Sequence, residues 1–514
     1  MRVNSVQENN LNYLILNSAR QYASNIALSF GSDSVSYQHL YETICRLAQG
    51  LHQLGIRKGD RVAVMLPNIP QFPISYYAIL KIGAICVPIN IMSKAKEIHY
   101  LLGDSESKAI ILWESFLPEV IKAVAGLDSC NHIITLGEKL VDDVINLTEL
   151  IASSSALDEA VPVLPEDTAV ILYTAGTTGY SKGAELTHRN LSFNALACAE
   201  IAKPGPSDVI LGVLPFYHSF GQTVVMNAGL ISGARIVLLS NFEPDAVFKV
   251  IKDEGVTIFA SVPTMLRMLL DASADKVDFS SIKYCLCGGA KLETSLMQAF
   301  EEKFGILINE GYGLTETSPV VSFNPFGFGR KPGSVGVPLK GVNVKVVDEN
   351  GKELPPNKEG EIIVSGPNVM KGYLNRPEAT KEVLKQDWFY TGDIGKIDED
   401  GYIYILDRKK DLIIKGGFNV YPREVEELLL YHPKVKEVAV IGVPDSIQGE
   451  EVKAYVVLKD GKRASKDEII NYCQEHMALY KCPKYVVFLR QLPKSPAGRV
   501  LKRRLKAFTA AEET

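Results

Sequence analysis

A run of glycine, threonine and lysine between residues 173 and 183 contains the residue types that a polyphosphate site requires. It reads Tyr-Thr-Ala-Gly-Thr-Thr-Gly-Tyr-Ser-Lys-Gly. Glycine tolerates positive φ angles, so the backbone turns tightly and exposes its N–H groups. Threonine hydroxyls add donors and the lysine adds a mobile cation. The candidate phosphate-binding residues are Thr174, Ala175, Gly176, Thr177, Thr178, Gly179 and Lys182.

This run follows an apolar strand predicted at 169–173 and precedes a helix predicted to start near Thr187. It is not a Walker A loop, because Gly183 stands where that loop carries the Ser or Thr that contacts magnesium. Taken alone, the run leaves open a surface loop that binds nothing.

Four further motifs follow in order and supply carboxylates and cations. Together with the loop they resemble the motifs of the adenylate-forming superfamily, which contains acyl-CoA synthetases, luciferases and peptide-synthetase adenylation domains. The resemblance runs from Ser36 to Arg504 and is greatest to bacterial medium- and long-chain fatty-acid–CoA ligases, notably in the segment 387–393. The motifs are Gly311-Tyr-Gly-Leu-Thr-Glu316, Tyr390-Thr-Gly-Asp-Ile-Gly395, Asp407-Arg-Lys-Lys410 and Gly416-Gly-Phe-Asn-Val-Tyr-Pro-Arg-Glu-Val-Glu426.

The resemblance implies a two-step reaction that uses ATP, Mg²⁺ and CoA. A carboxylate attacks the α-phosphorus of ATP and gives acyl-AMP and pyrophosphate, and a thiol then displaces AMP. The first step is needed because a carboxylate oxygen is a poor leaving group, so the acid is activated as a mixed anhydride. The site must therefore neutralise phosphate charge as it moves between oxygens.

The resemblance also implies roles for single residues. The loop would hold the β- and γ-phosphates, Thr315 would contact the α-phosphate, and Glu316 would bind Mg²⁺, which prefers oxygen ligands. His218 would form a gate between the nucleotide and acyl pockets. The structural alternatives are a helix-start carboxylate for Glu316, a turn residue for Asp393 and a core histidine for His218. The remaining contacts would come from Gly288, Gly289, Ala290, Glu310, Gly311, Tyr312 and Gly313 around the adenine, Asp393 and Arg408 at the ribose, and Gly416 and Gly417 in the pantetheine tunnel.

The sequence departs from the family pattern at three positions. Arg499 stands where the family has the lysine that serves the adenylation step, and its planar guanidinium is not equivalent to an ammonium. We expect Arg499 to neutralise the transferring carboxylate and the α-phosphate, because Lys494 or Lys502 would replace it only through a shift in register. Ala175 replaces the usual serine of the loop, and Ser181 replaces the usual proline.

Alternating apolar and amphipathic segments predict an α/β fold with largely parallel sheets. We expect a large N-terminal domain, residues 1–409, with two packed α/β sheets and a small distorted β-barrel. From about Gly333, short strands separated by turn signals predict the barrel-like part. A small α+β domain is expected over 410–514, and the resemblance implies that it is mobile, with a hinge near Lys410, two residues after the motif arginine Arg408.

The composition excludes several classes of protein. The 514 residues carry 55 Lys+Arg and 60 Asp+Glu, a net charge of −5, which argues against a dedicated nucleic-acid binder. Apolar residues form 46% of the chain, as in globular proteins. We expect no secretory signal and no transmembrane helix. Eight scattered cysteines without a CxxC pair are typical of a protein of the reducing cytoplasm.

The segment around His218 indicates which acid is activated. The resemblance implies that members activating amino acids place an Asp here to pair the ammonium, whereas no acidic residue lies between Asp208 and Glu243. It also implies that members specific for dicarboxylates place a basic residue here, whereas no Lys or Arg lies in 214–234. Apolar and small residues remain there and fit a fatty acid, with aryl acids as the nearest competitor. They are Phe216, Phe220, Gly221, Val224, Val225, Met226, Ala228 and Gly229.

The leading prediction is a fatty acyl-CoA synthetase, and two alternatives stay open. The acyl-AMP could be passed to an acyl carrier protein, since the sequence indicates only a shared pantetheine tunnel. Arg499 and Ala175 motivate the other alternative, a nucleotide-binding homologue with impaired adenylation. Peripheral membrane contact would suit long acyl substrates, although no amphipathic anchor is evident.

The Arg499→Lys variant tests whether arginine is adapted to its task. We expect arginine to support adenylation, so the native protein should catalyse ATP–pyrophosphate exchange with a fatty acid, and the variant should be slower. A large gain in exchange on restoring lysine would show instead that the native site is impaired.

Overall fold

The computed structural model describes residues 10–137, 143–157, 159–174, 181–272, 278–327, 329–415, 418–445, 448–477, 479–494 and 500–508. The chain divides into two compact units. Within the described ranges, the helices are too short or too polar to cross a lipid bilayer. The first unit comprises Met1–Asn343 and Val364–Phe389, and the second comprises Val344–Ile363 and Tyr390–Thr514.

The helix boundaries follow from local capping chemistry. Ser36 Oγ accepts a hydrogen bond from the His39 amide at 3.1 Å, and Thr187 and Asn190 cap each other at 2.8 and 3.1 Å. The helices are α1 (Leu11–Gln21), α2 (Tyr37–Gln53), α3 (Gln71–Lys81), α4 (Ala95–Asp104), α5 (Leu117–Val124), α6 (Leu147–Ser153), α7 (His188–Ala202), α8 (Ala228–Ile231), α9 (Pro244–Glu254), α10 (Pro263–Ala272), α11 (Thr294–Phe304), α12 (Pro377–Val383), α13 (Pro422–Leu430), α14 (Lys466–His476) and α15 (Lys502–Lys506).

The described residues also form β-strands. In chain order they are β1 (Ile26–Phe30), β2 (Asp33–Ser36), β3 (Arg61–Met65), β4 (Ile85–Pro88), β5 (Ala109–Trp113), β6 (His132–Leu136), β7 (Val144–Asn146), β8 (Thr168–Thr174), β9 (Lys182–Thr187), β10 (Val209–Gly212), β11 (Arg235–Leu238), β12 (Ile258–Ser261), β13 (Tyr284–Cys287), β14 (Ile308–Gly313), β15 (Val320–Phe323), β16 (Val337–Pro338), β17 (Asn343–Val347), β18 (Gly360–Ser365), β19 (Gly372–Tyr373), β20 (Leu384–Lys385), β21 (Trp388–Ile397), β22 (Ile403–Arg408), β23 (Ile413–Lys415), β24 (Phe418–Val420), β25 (Val435–Asp445), β26 (Gly449–Leu458) and β27 (Tyr485–Phe488).

Two large sheets form the first unit. One has the order β16-β15-β14-β13-β12-β10-β11-β1-β2 and is parallel from β14 to β1. The other has the order β19-β9-β8-β4-β3-β5-β6-β7 and is parallel from β8 to β7. Parallel strands need crossover helices that cover both faces, which explains their near-continuous apolar runs.

One hydrophobic core contains residues from both of these sheets and from helices α1 to α3. Its largest side chains include Tyr37 and Tyr77, which are fully buried. The Tyr37 hydroxyl donates to the Ala234 carbonyl at 2.7 Å, and the Tyr77 hydroxyl donates to Asn227 Oδ1 at 2.8 Å. These bonds satisfy polar groups that would otherwise be costly to bury.

The second unit contains a sheet of order β24-β23-β26-β25, with β27 parallel to β26. Its core is formed by apolar side chains of this sheet and of α13 and α14, such as Val440, Val456 and Ile469. A further five-stranded sheet has the order β17-β18-β21-β20, with β22 beside β21. The predicted α/β fold class, with its small barrel-like sheet and C-terminal α+β part, is confirmed. The boundary at residues 409/410 and the hinge at Lys410 stay predictions.

Two elements differ from the sequence-based expectation. The helix predicted near Thr187 begins at His188, but residues 182–187 before it form strand β9, which the sequence analysis did not predict. The apolar run 306–308 predicts a strand before the Gly311 motif, and the strand found there, β14, begins at Ile308 and continues through Gly313. A side chain at Gly313 would overlap the Pro319 carbonyl oxygen, so this glycine is needed for strand β15 to approach β14.

Asn68 joins strand β3 to the segment that follows β10 and leads to His218. Its Nδ2 donates to the Gly212 and Leu214 carbonyls at 2.9 and 2.8 Å, and its Oδ1 accepts from the Phe216 amide at 3.0 Å. The residue is only 2% exposed, so water does not replace these bonds. The Asn68 side chain therefore fixes the backbone segment that leads to His218, the predicted acyl gate.

Asn68→Ala should lower the free energy of unfolding of the first unit by about 2–3 kcal/mol, because three buried backbone groups lose their partner. Urea titration followed by tryptophan fluorescence measures this, since both tryptophans, Trp113 and Trp388, lie in the first unit. The exposed Asn131→Ala change is the control and should stay within about 0.5 kcal/mol of the parent. An equal loss in both variants would contradict this role for Asn68.

Candidate active site

The predicted phosphate loop connects two antiparallel strands, β8 and β9. Thr174 ends β8 and is paired with Lys182, which begins β9. The helix predicted to start near Thr187 begins at His188, and strand β9 lies between it and the loop. An anion bound at this segment would therefore meet the end of a strand pair, with Lys182, rather than a helix N-terminus.

Helix α4 holds both ends of this hairpin. The Tyr100 hydroxyl donates to the Ser181 carbonyl at 2.7 Å, and the Tyr173 hydroxyl donates to Asp104 Oδ2 at 2.8 Å. Tyr100 and Asp104 are four residues apart and so lie on one face of α4. Arg376 pairs with Asp104 Oδ1 at 2.6 Å. Burial and the Asp104 carboxylate raise the pKa of Tyr173 well above its usual value, so its hydroxyl remains a donor.

Thr315 and Glu316 lie in a single 3₁₀ turn, Thr315–Thr317, directly after strand β14. Glu316 Oε1 accepts a hydrogen bond from the Tyr373 hydroxyl at 2.8 Å. Its Oε2 has no hydrogen-bond partner among the residues that the structure describes, and the side chain is half-buried. The Met370 amide donates to the Glu316 carbonyl at 2.8 Å and fixes the turn.

This arrangement fits Mg²⁺. The described ranges contain no cluster of three or more His, Cys, Asp or Glu side chains that could hold a metal. Mg²⁺ is commonly bound through one or two carboxylates together with substrate phosphates and water, so a dedicated cage is not required. Glu316 Oε2, which has no hydrogen-bond partner among the described residues, would supply one such ligand.

The residues predicted around the adenine lie at the ends of β13 and β14. Gly288 is buried, and a Cβ added there would meet the Gly311 carbonyl oxygen at 3.2 Å and the Phe220 ring at 3.5 Å. Glu310 is 5% exposed, and its Oε1 accepts from the Leu292 amide at 3.1 Å. Glu310 thus anchors the turn that carries two of the predicted residues. In this turn, Gly289 and Ala290 are exposed. On β14, Gly311, Tyr312 and Gly313 are half-buried.

His218 is exposed, which does not fit the alternative of a core histidine. Its ring lies against that of Tyr217, with the centroids 4.9 Å apart. A π-helical segment, Gly221–Asn227, follows it and leads into α8. Such wide turns are often found at functional sites. The predicted gate therefore lies at the surface end of an irregular helix.

The apolar residues of the predicted acyl pocket fall into two groups. Phe216, Val225 and Met226 are fully buried in the core of the first unit, as the packing alternative expects. Phe220 and Val224 are half-buried and pack at its margin, so they are the better candidates for contact with an acyl chain.

In the second unit, the two predicted ribose ligands form one ion pair. Asp393 and Arg408 are direct partners on β21 and β22, and Arg408 Nε lies 2.6 Å from Asp393 Oδ1. Asp393 is 3% exposed, so its carboxylate is held rather than free to rotate. Asp407 Oδ2 accepts from the Arg423 amide at 2.9 Å and ties this motif to α13.

The two lysines considered as substitutes for Arg499 both form ion pairs in the second unit. Lys494 pairs with Glu437 at 2.7 Å, and Lys502 pairs with Glu426 at 2.8 Å.

Several predicted site residues lie outside the described residues. The predicted residues outside the described ranges are Ala175, Gly176, Thr177, Thr178, Gly179, Gly416, Gly417 and Arg499.

Three side chains that contact the predicted site were missed by the sequence reasoning. Tyr100 and Asp104 hold the loop, and Tyr373 holds Glu316. Tyr373 is 57 residues from its partner in sequence, so no local pattern joins them. The i, i+4 spacing of Tyr100 and Asp104 on a predicted helix was an available but weak signal.

Tyr100→Phe tests the support of the loop. Loss of one neutral hydrogen bond should raise the KM for ATP about 2- to 10-fold and leave the KM for the acid unchanged. Steady-state kinetics measures both constants, with the exposed Tyr431→Phe as the control. An ATP KM equal to that of the parent would contradict this role for Tyr100.

Known proteins are similar to this chain over nearly its whole length. A long-chain-fatty-acid–CoA ligase of Bacillus subtilis (strain 168) is 39% identical over 96% of this chain and 94% of its own. A feruloyl-CoA synthase of Amycolatopsis sp is 37% identical over 94% of this chain and 96% of its own. The crystal structure of ATP-bound MatB from Rhodopseudomonas palustris superposes with a TM-score of 0.90 at 35% identity, covering 97% and 98% of the two chains.

Two family descriptions match the chain. Residues 15–374 match the description "AMP-binding enzyme", and residues 424–499 match "AMP-binding enzyme C-terminal domain". The matched segments include strands β8 and β9, the Glu316 turn and Tyr373. The chain belongs to the AMP-binding enzyme family.

Proposed function

We propose that this protein is an AMP-forming acid–thiol ligase that converts a fatty acid, ATP and CoA to acyl-CoA, AMP and pyrophosphate. The observation that carries the proposal is the pairing of Thr174 with Lys182, which flank the glycine–threonine sequence, with Tyr373 between Lys182 and Glu316. The relatives named as long-chain-fatty-acid–CoA ligases support the acid class.

In the first step, a carboxylate oxygen of the fatty acid bonds to the α-phosphorus of ATP. The bond from that phosphorus to the bridging oxygen breaks, and pyrophosphate leaves with the electron pair. Lys182 and the loop donors would stabilise the charge on the leaving pyrophosphate, and Arg499 would neutralise the approaching carboxylate. Thr315 would orient the α-phosphate between them.

Glu316 would bind Mg²⁺ through Oε2, and the bound ion would offset phosphate charge without transferring protons. In the second unit, the buried Asp393 would accept hydrogen bonds from the ribose hydroxyls, with Arg408 keeping its carboxylate oriented. These contacts would position the nucleotide before the acid attacks.

In the second step, the sulfur of CoA bonds to the acyl carbonyl carbon. The bond between that carbon and the phosphate oxygen breaks, AMP leaves with the electron pair, and the thiol proton passes to solvent. Gly416 and Gly417 would leave room for the thin pantetheine arm because they carry no Cβ. His218 would separate the nucleotide from the acyl chain.

A fatty acid is the better candidate than an aryl acid. Relatives of both classes have similar identity, since the feruloyl-CoA synthase is 37% identical. The segment 214–234 carries no charged side chain, and its half-buried Phe220 and Val224 are apolar. An aliphatic chain needs only such apolar contacts.

We place the reaction in the cytoplasm, with CoA rather than an acyl carrier protein as acceptor. All eight cysteines are free thiols, the form that a reducing compartment maintains. The relatives are named as CoA ligases and synthases, which supports the choice of acceptor.

A substrate panel tests the proposal. Purified full-length protein with ATP and Mg²⁺ should release AMP and form a thioester with C8–C16 acids and CoA. It should do so at least about 10-fold less efficiently with ferulate, because its hydroxyl and methoxy groups would lie in an apolar pocket. Absence of AMP release with every fatty acid would overturn the proposal, and a preference for an acyl carrier protein would overturn the assignment of CoA as acceptor.

A further inference from the structure

Tyr373 lies where three parts of the first unit meet. Strand β19 pairs antiparallel with β9, so that Tyr373 is directly opposite Ala184. The Leu374 amide extends this pairing by donating to the Gly183 carbonyl at 2.8 Å. The backbone of Tyr373 is therefore fixed to the strand that begins with Lys182.

The side chain of Tyr373 contacts two predicted site residues at once. Its hydroxyl donates to Glu316 Oε1 at 2.8 Å, and the Lys182 ammonium lies 5.0 Å from its ring centroid. Side chains of Lys182 and Ala184 point to the same face of β9, so the ring of Tyr373 reaches its diagonal neighbour. The distance is within the range of a cation–π contact.

Burial gives this contact a defined geometry. Tyr373 is 9% exposed and belongs to the hydrophobic core of the first unit. Its amide donates to Thr380 Oγ1 at 2.9 Å, which adds a second anchor for the backbone. Because the backbone is held by β9 and Thr380, the position of the ring does not depend on the bond to Glu316.

The hydroxyl occupies only one oxygen of the Glu316 carboxylate. Oε1 is engaged by Tyr373, whereas Oε2 has no hydrogen-bond partner within the described ranges. A hydrogen bond to one oxygen fixes the rotation of a carboxylate and determines which oxygen a cation meets. Partners of this kind commonly control metal affinity without touching the metal.

We propose that Tyr373 is a positioning residue that sets the orientation of Glu316 toward Mg²⁺ and holds Lys182 beside it. The inference rests on the proposed function, because it takes Mg²⁺ and ATP as the ligands. It assigns two separable tasks to one side chain: the hydroxyl orients the carboxylate, and the ring holds the ammonium.

Tyr373→Phe removes only the hydrogen bond that orients Glu316 and keeps the ring beside Lys182. Calorimetric titration of ATP into the full-length protein, without fatty acid, gives the ATP Kd at a series of Mg²⁺ concentrations. The Mg²⁺ concentration for half-maximal enhancement of ATP binding should rise about 10-fold. The Kd for ATP without Mg²⁺ and the KM for the fatty acid should be unchanged.

Tyr373→Leu removes both tasks. It should show the same Mg²⁺ shift, and ATP binding without Mg²⁺ should also weaken about 2- to 5-fold because Lys182 loses the ring. The difference between the Phe and Leu variants separates the hydroxyl from the ring.

Tyr404 provides matched controls in the second unit. Its hydroxyl donates to Asp398 Oδ2 at 3.2 Å, and Lys396 Nζ lies 5.7 Å from its ring centroid. Tyr404→Phe and Tyr404→Leu therefore remove the same two kinds of contact far from Glu316 in sequence. Neither control should change the Mg²⁺ dependence of ATP binding.

An unchanged Mg²⁺ dependence in Tyr373→Phe would overturn the inference while the parent enzyme stays active. A Phe variant that fails to fold would also contradict it, because the hydroxyl would then be structural. In a Glu316→Gln background, Tyr373→Phe should cause no further Mg²⁺ shift, and an additive shift would contradict coupling through Glu316. Failure of the parent protein to bind ATP would count against the proposed function itself.

Discussion

The pairing of strand β9 with β8 on one side and β19 on the other determines where the charged groups of the first unit lie. It places Lys182 beside Thr174 across one strand pair and diagonal to Tyr373 across the other. A shift of one residue would turn Lys182 to the opposite face of the sheet. The register of one six-residue strand thus connects the phosphate loop to Glu316.

The negative charges of the two substrates explain why these groups are assembled next to apolar residues. The proposed reaction joins two anions, a carboxylate and a triphosphate, and one of them carries an aliphatic chain. Fixed cations and donors offset this repulsion best where water is scarce, because electrostatic interactions strengthen as the dielectric falls. The core around Phe216, with Phe220 at its margin, provides such a setting close to Gly288 in the first unit.

Local sequence predicted some features and missed others for physical reasons. The fold class and the strand at 169–173 follow from apolar runs, and the family motifs implied that Asp393 and Arg408 share the ribose. Strand β9 was missed because residues 182–187 form no continuous apolar run and owe their conformation to their neighbours in the sheet. Tyr373 was missed because its bond to Glu316 joins segments 57 residues apart. Strand β9 and the contact between Tyr373 and Glu316 both depend on segments that are distant in sequence.

The central claim is that this chain joins a fatty acid to the α-phosphorus of ATP. Exchange of labelled pyrophosphate into ATP, measured without CoA, isolates that step because only a reversible adenylation returns the label. We expect exchange that requires both Mg²⁺ and a C8–C16 acid. Exchange that is absent with every such acid, or that proceeds equally well without one, would contradict it.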